Sequence, residues 1–365
     1  MPGTWGRGSR LIAVPDDFTS AIEAAIVATI AETRATVAPA AATGAELVDA
    51  VAAAARGGKR MRAAAVMASY SAHGGTDPDA AAPVAAALEL FQAAALVHDD
   101  VLDDASTRRG RPTAHIAFAK AHSDRGGAGS AERFGLAGAV LAGDLSLVAA
   151  TRAITYAPLG TAQADTLRLF TEMMELVTVG QYLDMRIAAM PLAALEGQIE
   201  GIRATMRAKT ASYTAEFPLA LGASAAGATP QQIAAARAAG LPAGIAFQLR
   251  DDLLGIVGDS SLTGKPVGED IREGKRTVPL WLAWTRSDAV ARSALEAAVG
   301  RSAATDAEVA AAIDVIERSG AIGAVEAEIE SLTAEAGELL GALEIEPEGR
   351  AGLADLMRSW GARKA

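Results

Sequence analysis

Apolar residues recur every three to four positions along most of the chain from Phe18 to the C-terminus. This spacing is typical of amphipathic α-helices, whereas the alternating pattern of half-buried strands is scarce. Short groups of Gly, Pro and polar residues interrupt it at 73–78, 108–112, 124–129, 158–160, 227–230 and 258–266. Such groups indicate loops. We therefore predict an all-α protein whose many helices are joined by short loops.

The predicted helices form a single domain over residues 18–365, because no long linker rich in Pro, Gly and Ser divides the chain. No repeat with a period of about 20 to 50 residues is evident either. Residues 1–17 contain Gly, Pro and Arg without the pattern of a secretory signal, and we predict a flexible tail. From this we expect a cytoplasmic protein.

Residues 80–97 are almost long and apolar enough to cross a membrane. They include Pro83, Glu89 and Gln92, and most of their apolar residues are Ala. A buried helix is therefore predicted, with no transmembrane segment. Composition agrees, since hydrophobic residues make up 51% of the chain but aromatic residues only 4%, and Ala is the strongest helix former.

Charge and cysteine content exclude several classes of function. The formal net charge is -11, and no basic cluster with interleaved aromatic residues opposes it, so we expect no nucleic-acid partner. The chain contains no cysteine, which excludes disulfides, thiolate metal sites and a cysteine nucleophile. Any bound metal must use oxygen or imidazole ligands.

The first candidate site is the acidic segment that ends the predicted apolar helix, His98-Asp-Asp-Val-Leu-Asp-Asp104. Asp99 and Asp103 are four residues apart, so they share a helix face and their charges repel each other. A divalent cation would offset this repulsion, and Mg²⁺ suits carboxylates while keeping ligand positions for water and phosphate. A solvated helix end with surplus acid is the alternative that this segment alone leaves open.

A second acidic pair, Asp251 and Asp252, lies in the otherwise apolar run 247–254. Buried carboxylates without partners cost several kcal/mol, so we expect the two acidic clusters to face each other across a cavity that holds metal. Facing carboxylates bind a polyanion through cations, and a diphosphate is the natural ligand.

Basic residues form separate groups at predicted helix boundaries. One of these groups alone is more often a solvated loop, but the whole set accompanies both acidic pairs. Glycines 57 and 58 would let the backbone of the first group approach a phosphate. The groups are Lys59, Arg60 and Arg62 in 56–62; Arg108 and Arg109 in 108–112; Lys209 beside Thr210; Lys265; and the run 268–277.

Together these segments resemble the trans-isoprenyl diphosphate synthases, or polyprenyl synthetases, over about residues 48–280. The motifs occur in the order of that family: Gly57-Gly-Lys-Arg-Met-Arg62, Asp99-Asp-Val-Leu-Asp103 with Arg108-Arg109-Gly110, Gly180-Gln-Tyr-Leu-Asp184, Lys209-Thr210, and Phe247-Gln248 with Asp251-Asp252. The resemblance implies a helical bundle around a central cavity, commonly as a homodimer. It also implies Mg²⁺-dependent, head-to-tail condensation of isopentenyl diphosphate with dimethylallyl, geranyl or farnesyl diphosphate.

The resemblance assigns roles to individual residues. Asp99, Asp103 and Asp251 would hold three Mg²⁺ ions with substrate bound, supported by Asp100 and Asp252. Thr210 would face the cationic carbon. The remaining substrate-binding residues are Arg108, Lys209, Gln181, Gln248 and Lys265, chiefly for the allylic diphosphate, and Lys59, Arg62, Arg109 and Gln92 for isopentenyl diphosphate.

Two positions depart from the family pattern. Gly255 stands where the second motif usually has its last aspartate, which removes a potential carboxylate from that wall. Gln92 stands where many relatives have a histidine that contacts isopentenyl diphosphate; its amide can still donate to phosphate.

Product length is predicted from the helix before Asp99, beside which the product would grow. Ala94 and Ala95 are too small to stop it, and Phe91, one turn deeper, is the first bulky candidate. Because a helical turn rises about 5 Å, close to one isoprene unit, this predicts a product of about twenty carbons, geranylgeranyl diphosphate. Packing of Phe91 between helices is the alternative interpretation.

Two other functions remain as alternatives. A terpene cyclase shares one aspartate-rich motif but has no need of the Lys59 to Arg62 segment. A non-catalytic regulatory subunit of a prenyl synthase is favoured only by Gly255. Among the four histidines, His98 could orient an aspartate or only pack beside it, and His73, His115 and His122 are interpreted as structural or exposed.

Overall fold

The computed structural model describes residues 16–39, 42–258 and 268–361. The α-helices in these ranges are α1 (Asp16–Val37), α2 (Ala45–Ala55), α3 (Met61–Ala72), α4 (Pro78–Leu102), α5 (Ala114–Asp124), α6 (Ala131–Thr155), α7 (Gln163–Ala188), α8 (Ile199–Thr205), α9 (Phe217–Ala225), α10 (Pro230–Val257), α11 (Glu269–Glu273), α12 (Val278–Arg286), α13 (Ala289–Ala298), α14 (Asp306–Arg318), α15 (Ala321–Gly341) and α16 (Pro347–Gly361). A π-helix, Met206–Glu216, joins α8 to α9.

The predicted all-α class is confirmed. Within the described ranges the only strands are the two-residue β1 (Thr107–Arg108) and β2 (Arg111–Pro112), which pair antiparallel just after α4. Helix α1 begins at Asp16, two residues before the predicted start of the domain, and the rest of the predicted tail lies outside the described residues.

Helix α4 is the centre of the largest apolar cluster and packs against α6, α1, α3 and α2. Its alanines explain the close packing, since Ala85, Ala86 and Ala87 are completely buried. The predicted buried helix over 80–97 is therefore confirmed, inside a longer helix that ends at the first acidic segment. The core thus fixes the position of Asp99 and Asp103.

Helix α10 carries the second acidic pair near its C-terminal end. Its start is fixed by a capping box, in which the Thr229 hydroxyl accepts from the Gln232 N–H while the Gln232 side chain accepts from the Thr229 N–H. Pro230 at the first helical position fits, because its missing N–H would have no helical partner there. The helix then packs against the π-helix and α15.

The π-helix packs closely against glycines of the two helices beside it. A Cβ atom on Gly180 of α7 would lie 2.3 Å from the backbone nitrogen of Lys209, and one on Gly244 of α10 would lie 2.6 Å from the carbonyl oxygen of Ala211. Only glycine permits such close approach of backbones. Gly180 is the first residue of the predicted motif Gly180-Gln-Tyr-Leu-Asp184. It thus allows α7 to pack closely against the turn that carries Lys209 and Thr210.

Candidate active site

A cavity of about 430 Å³ contains both acidic walls. Asp99 and Asp103 reach it from α4, and Asp251 and Asp252 reach it from α10. The structure therefore brings together the two acidic pairs that the sequence suggested would face each other. The other lining residues are Arg62, Gln92, Arg108, Arg109, Asp184, Ile202, Thr205, Met206, Lys209, Thr210, Tyr213, Phe247, Gln248, Asp270, Lys275, Arg276 and Thr277.

The first acidic wall lies in the last turn of α4, with basic side chains close to it. Asp99 is 3.5 Å from Nη2 of Arg108 through one carboxylate oxygen and 3.5 Å from Nζ of Lys209 through the other. The Asp103 side chain remains accessible to solvent. Its partial desolvation, reinforced by the negative charge of Asp99, nevertheless raises the pKa of Asp103 to about 6. The Asp103 carboxylate is thus mostly ionised at neutral pH and available to a cation.

Asp100 lies behind this wall and does not line the cavity. It is buried, and its Oδ1 atom accepts from Nε of Arg108 at 2.5 Å. Burial raises the pKa of Asp100, and the Arg108 charge opposes that rise. Asp100 therefore holds the Arg108 guanidinium against the cavity, which gives its predicted supporting role a physical basis.

Lys209 reaches the cavity from the π-helix. Its Nζ atom lies 2.5 Å from Oδ2 of Asp184, a residue of α7 that also lines the cavity. Burial would lower the pKa of Lys209, but the charges of Asp184 and Asp99 outweigh it, so the pKa is raised. Lys209 is consequently a fixed positive charge beside the first wall.

The second acidic wall combines an exposed carboxylate, Asp251, with a buried one, Asp252. Asp252 is buried in the side of the cavity and accepts from Nε2 of Gln248 at 2.6 Å, within α10. Burial raises its pKa well above the ordinary value. Gln248 also lines the cavity, so its predicted contact with a diphosphate would have to share or replace this hydrogen bond.

A third group of charges consists of the arginines on the side of α3 and the β1–β2 turn. Arg62 lies 4.1 Å above the ring of Tyr213 and donates through Nη2 to the Thr214 hydroxyl at 3.1 Å. Arg109 lies against Gly58, and burial followed by the charge of Arg108 lowers its pKa. Guanidinium groups close enough to lower the pKa of Arg109 form a positive cluster that is suited to a bound anion.

Arg60, which the sequence offered as a phosphate donor, has a different position. Its guanidinium donates to Glu23 at 2.7 Å and to the buried Glu89 at 3.1 Å, and it does not line the cavity. Glu89 also accepts from the N–H of Ala63 at 3.3 Å. Arg60 therefore anchors the Gly57–Arg62 loop to α1 and α4. This position corrects the expectation that Lys59, Arg60 and Arg62 all bind phosphate.

Several predicted residues lie outside the cavity lining. Lys59 is exposed and Gln181 is half-buried, and neither lines the cavity. Lys265 falls in 259–267, outside the described residues. Thr210, Gln92 and Arg109 do line it.

The predicted floor residue, Phe91, is buried in the core rather than exposed to the cavity. Its ring packs edge-on against Phe170 at 6.2 Å and against Tyr213 at 5.9 Å between centroids. Ala94 is completely buried and Ala95 is partly exposed. Tyr213 lines the cavity and contacts Phe91, so it is Tyr213, not Phe91, whose ring borders the cavity on this side.

The four histidines take structural positions. His98 lies 3.2 Å from the Val140 carbonyl and 3.5 Å from Asp144, both on α6. His73 contacts the Ser69 carbonyl at 2.7 Å, and the ring of His122 stacks on Phe134. None of the four lines the cavity.

The sequence analysis assigned no role to four charged lining residues, Asp184, Asp270, Lys275 and Arg276. Asp270 and Lys275 lie in the run 268–277 that was noted only as basic, and Lys275 lies 2.6 Å from Oδ1 of Asp270. The sequence did contain a signal for their proximity, since an aspartate and a lysine five residues apart can lie at the two ends of one short turn. Only the fold shows that this turn faces Asp251.

The arrangement of acidic residues suits a cation that is completed by a ligand. No group of three or more His, Asp or Glu side chains in the part of the chain that the structure describes is placed to hold a metal alone. Paired carboxylates on two walls, with several basic side chains around them, instead fit Mg²⁺. This ion takes its remaining ligands from water and phosphate oxygens.

Comparison with known families gives a direct match. Residues 45–316 match the family model described as polyprenyl synthetase. The matched range contains all the lining residues of the cavity.

Individual relatives and a solved structure point to the same family. A short chain isoprenyl diphosphate synthase of Methanothermobacter thermautotrophicus is 35% identical over 265 residues, covering 73% of this chain and 74% of the relative. A geranylgeranyl diphosphate synthase of Mycobacterium tuberculosis is also 35% identical, covering 72% and 69%. The crystal structure of geranylgeranyl pyrophosphate synthase from Corynebacterium glutamicum, complexed with isoprenyl diphosphate and magnesium, superposes with a TM-score of 0.86 at 36% identity, covering 96% of this chain and 99% of that one.

Proposed function

Because the chain belongs to the polyprenyl synthetase family, we propose that it condenses isopentenyl diphosphate head to tail with an allylic diphosphate, with geranylgeranyl diphosphate as its main product. The observation that carries this proposal is the shared cavity of two acidic walls, Lys209 and the Arg62 and Arg109 pair. Acidic walls suit one diphosphate with Mg²⁺, and the arginines suit a second. A site for two diphosphates is what a condensation requires.

The residues would divide the chemistry as follows. Asp99, Asp103 and Asp251 would hold Mg²⁺, in three ions with substrate bound. Bound Mg²⁺ would neutralise the negative charge that develops on the departing diphosphate. Lys209 and Arg108 would contribute fixed positive charge to the same group, already oriented by Asp184 and Asp100.

The reaction then balances without a basic side chain. The allylic C–O bond breaks and pyrophosphate leaves with the electron pair, while the double bond of isopentenyl diphosphate forms the new C–C bond. Thr210, with its hydroxyl lone pairs, would face the electron-poor carbon. By resemblance to the family, the proton lost to restore the alkene would go to the released pyrophosphate, so a histidine in the cavity is not required.

Incubation of the purified chain with radiolabelled isopentenyl diphosphate, farnesyl diphosphate and Mg²⁺ tests this function. We expect label in a product that, after dephosphorylation, migrates with the linear twenty-carbon alcohol. A cyclic hydrocarbon would support a terpene cyclase instead. A folded chain that gives no extended product would support a non-catalytic regulatory subunit.

The product length is proposed to depend on the Phe91 and Tyr213 pair. Replacing Phe91 by Ala should open space below Tyr213 and lengthen the main product by about one five-carbon unit, since the ring spans about one helical turn. Chromatography against linear prenyl alcohol standards measures this. Phe170→Leu, which alters the other ring packed on Phe91, is the matched control for general loosening. An unchanged product from Phe91→Ala would mean that the floor lies elsewhere.

We also propose a homodimer, formed through the exposed face of α6. Helices α4 and α6 both have the length and apolar composition of a membrane span. In α4, 72% of the most apolar 18-residue stretch is buried, whereas in α6 only 39% of the corresponding stretch is buried. Phe134, Leu141 and Val148 are exposed on α6 at intervals of seven residues, which places them on one side. A second copy covering this side would explain its apolar character in a cytoplasmic enzyme.

The dimer is tested by Leu141→Asp. Light scattering should report one chain for this variant and two for the wild type, because an unpaired charge would be buried in the interface. Val290→Asp alters an exposed apolar residue on α13 and should leave the mass unchanged. A wild-type chain of single-chain mass would reject the proposed assembly.

A further inference from the structure

The departure at Gly255 coincides with a close contact from another helix. A Cβ atom built on Gly255 would lie 1.8 Å from Oδ2 of Asp270 and 2.6 Å from its Cγ. Any side chain at position 255 would therefore collide with the Asp270 carboxylate. That carboxylate fills the space into which a residue at the last position of the second acidic motif would project.

We propose that Asp270 supplies the third carboxylate of the second acidic wall, in the space that Gly255 leaves, and acts there on the Mg²⁺ held by Asp251. The inference rests on the proposed function, since it assumes that this wall binds Mg²⁺ with a diphosphate. Its direct support is that Asp270 lines the same cavity as Asp251 and Asp252. The acidic wall is thus built from two helices, α10 and α11, which pack against each other.

Asp270 is held in this position on several sides. Its side chain is 13% exposed, and its Oδ1 atom lies 2.6 Å from Nζ of Lys275. The Lys275 N–H also donates to the Asp270 carbonyl at 3.0 Å, which closes the turn between them. One carboxylate oxygen is therefore directed at Lys275, while the other is the atom nearest to Gly255.

The charge around Asp270 is compatible with a role toward a cation. Lys275 also contacts Glu273 at 2.9 Å, so its charge is shared between two carboxylates. Burial would lower the pKa of Lys275, but Asp270 and Glu273 outweigh it and the pKa is raised. One lysine thus contacts two carboxylates here.

A purely structural role predicts something different. If Asp270 served only to orient Lys275, its loss would weaken diphosphate binding in the way that loss of Lys275 does, at any Mg²⁺ concentration. If Asp270 acts on the metal, the defect would be overcome by more Mg²⁺. The two roles are therefore separated by titrating Mg²⁺ and pyrophosphate independently.

The experiment uses calorimetry of the full chain with inorganic pyrophosphate and Mg²⁺, so that it does not depend on turnover. For Asp270→Asn we expect the Mg²⁺ concentration for half-saturation at fixed pyrophosphate to rise about 10- to 100-fold, the range seen when a supporting group of a metal site is removed. At saturating Mg²⁺ the pyrophosphate affinity should return close to the wild-type value. Lys275→Met should weaken pyrophosphate binding in a way that Mg²⁺ does not restore.

Glycine variants test the steric part of the proposal. Gly255→Ala adds only a methyl group, yet it must displace the Asp270 carboxylate, so it should raise the Mg²⁺ requirement in the same direction. Gly337→Ala, in α15 where nothing lies within 4 Å of the added atom, is the matched control and should bind as the wild type does. The exchange variant Gly255→Asp with Asp270→Gly should recover most of the Mg²⁺ affinity that Asp270→Asn loses.

Three outcomes would overturn the proposal: an unchanged Mg²⁺ titration for Asp270→Asn, an unchanged titration for Gly255→Ala, or a Lys275→Met titration identical to that of Asp270→Asn. Circular dichroism melts establish that each variant is folded, and the exchange variant provides the test if Asp270→Asn is not. If the wild type binds Mg²⁺ and pyrophosphate but forms no prenyl product, the proposed function fails while the Asp270 titrations still decide this inference.

Discussion

The two acidic walls of the cavity begin from the same sequence feature, adjacent aspartates near the end of a long helix, but they manage their charge differently. At the first wall Asp99 lies within 3.5 Å of both Arg108 and Lys209, so positive side chains offset its charge. At the second wall burial favours a proton on Asp252, and the hydrogen bond donated by the Gln248 amide opposes this effect without cancelling it. The first wall therefore pairs a carboxylate with basic side chains, whereas the second contains a buried carboxyl group on which burial favours the proton.

The largest effect is expected when the first wall loses Asp99. Asp99→Ala should lower kcat by about 10³-fold or more, because preorganised charge at the departing group is usually the dominant catalytic contribution. The free energy of unfolding of the metal-free chain should change little, since the substitution also relieves repulsion with Asp103. Steady-state condensation assays and urea denaturation measure the two quantities.

Asp314→Ala, an exposed aspartate on α14, is the control and should retain full activity. Wild-type turnover by Asp99→Ala would contradict the assignment of the first wall to Mg²⁺. A large loss of stability without ligand would instead show that Asp99 is chiefly structural.

The next effect concerns pH and the other carboxylate of the first wall. Since the pKa of Asp103 is raised from 3.8 to about 6, the folded state binds this proton more tightly than the unfolded state. Asp103 therefore makes the metal-free chain lose stability as pH rises from about 4 to 6, and the loss stays constant above that window.

Asp103→Asn lacks this titration, so its stability relative to the wild type should increase through the same window. Urea denaturation at pH 4, 5, 6 and 7.5 measures the difference, in which the other carboxylates cancel. Asp104→Asn, at the next position, provides the control. A wild-type to Asp103→Asn difference that is flat with pH would contradict the raised pKa.

The smallest effect is expected at the second wall. Asp252→Asn should lower kcat by about tenfold or less, because an amide oxygen can still accept from Gln248 and a buried acid with a raised pKa already resembles a neutral group. Condensation assays at saturating Mg²⁺ test this. A loss as large as that of Asp99→Ala would show that both walls work as ionised carboxylates and would remove the contrast between them.

The sequence predicted those parts of the molecule whose signals are local. Helical period, the alanine content of α4 and the two acidic pairs were sufficient for the all-α fold and for a shared cavity. Arg60 could not be separated from Arg62, because both are basic residues in one loop and only the tertiary position of Glu89 decides between them. Burial of Phe91 by Phe170 and Tyr213 likewise depends on helices distant in sequence.

Two residues illustrate why the second wall was harder to predict than the first. Asp99 and Asp103 lie one turn apart on one helix, so their spacing alone places them together. Gly255 and Asp270 are on different helices, and a missing side chain gives no signal of what replaces it. The contact between them became visible only in the folded chain.

The π-helix that carries Lys209 and Thr210 makes the site sensitive to the length of this segment. The hydrogen bonds of a π-helix span one more residue than those of an α-helix, so removing a single residue from Met206–Glu216 would shift this segment toward α geometry. Such a deletion would rotate the preceding segment by about 100° relative to α9, given 3.6 residues per turn. A change in the length of this segment should therefore misplace Lys209 and Thr210 together, which a substitution at another position of the segment would not do.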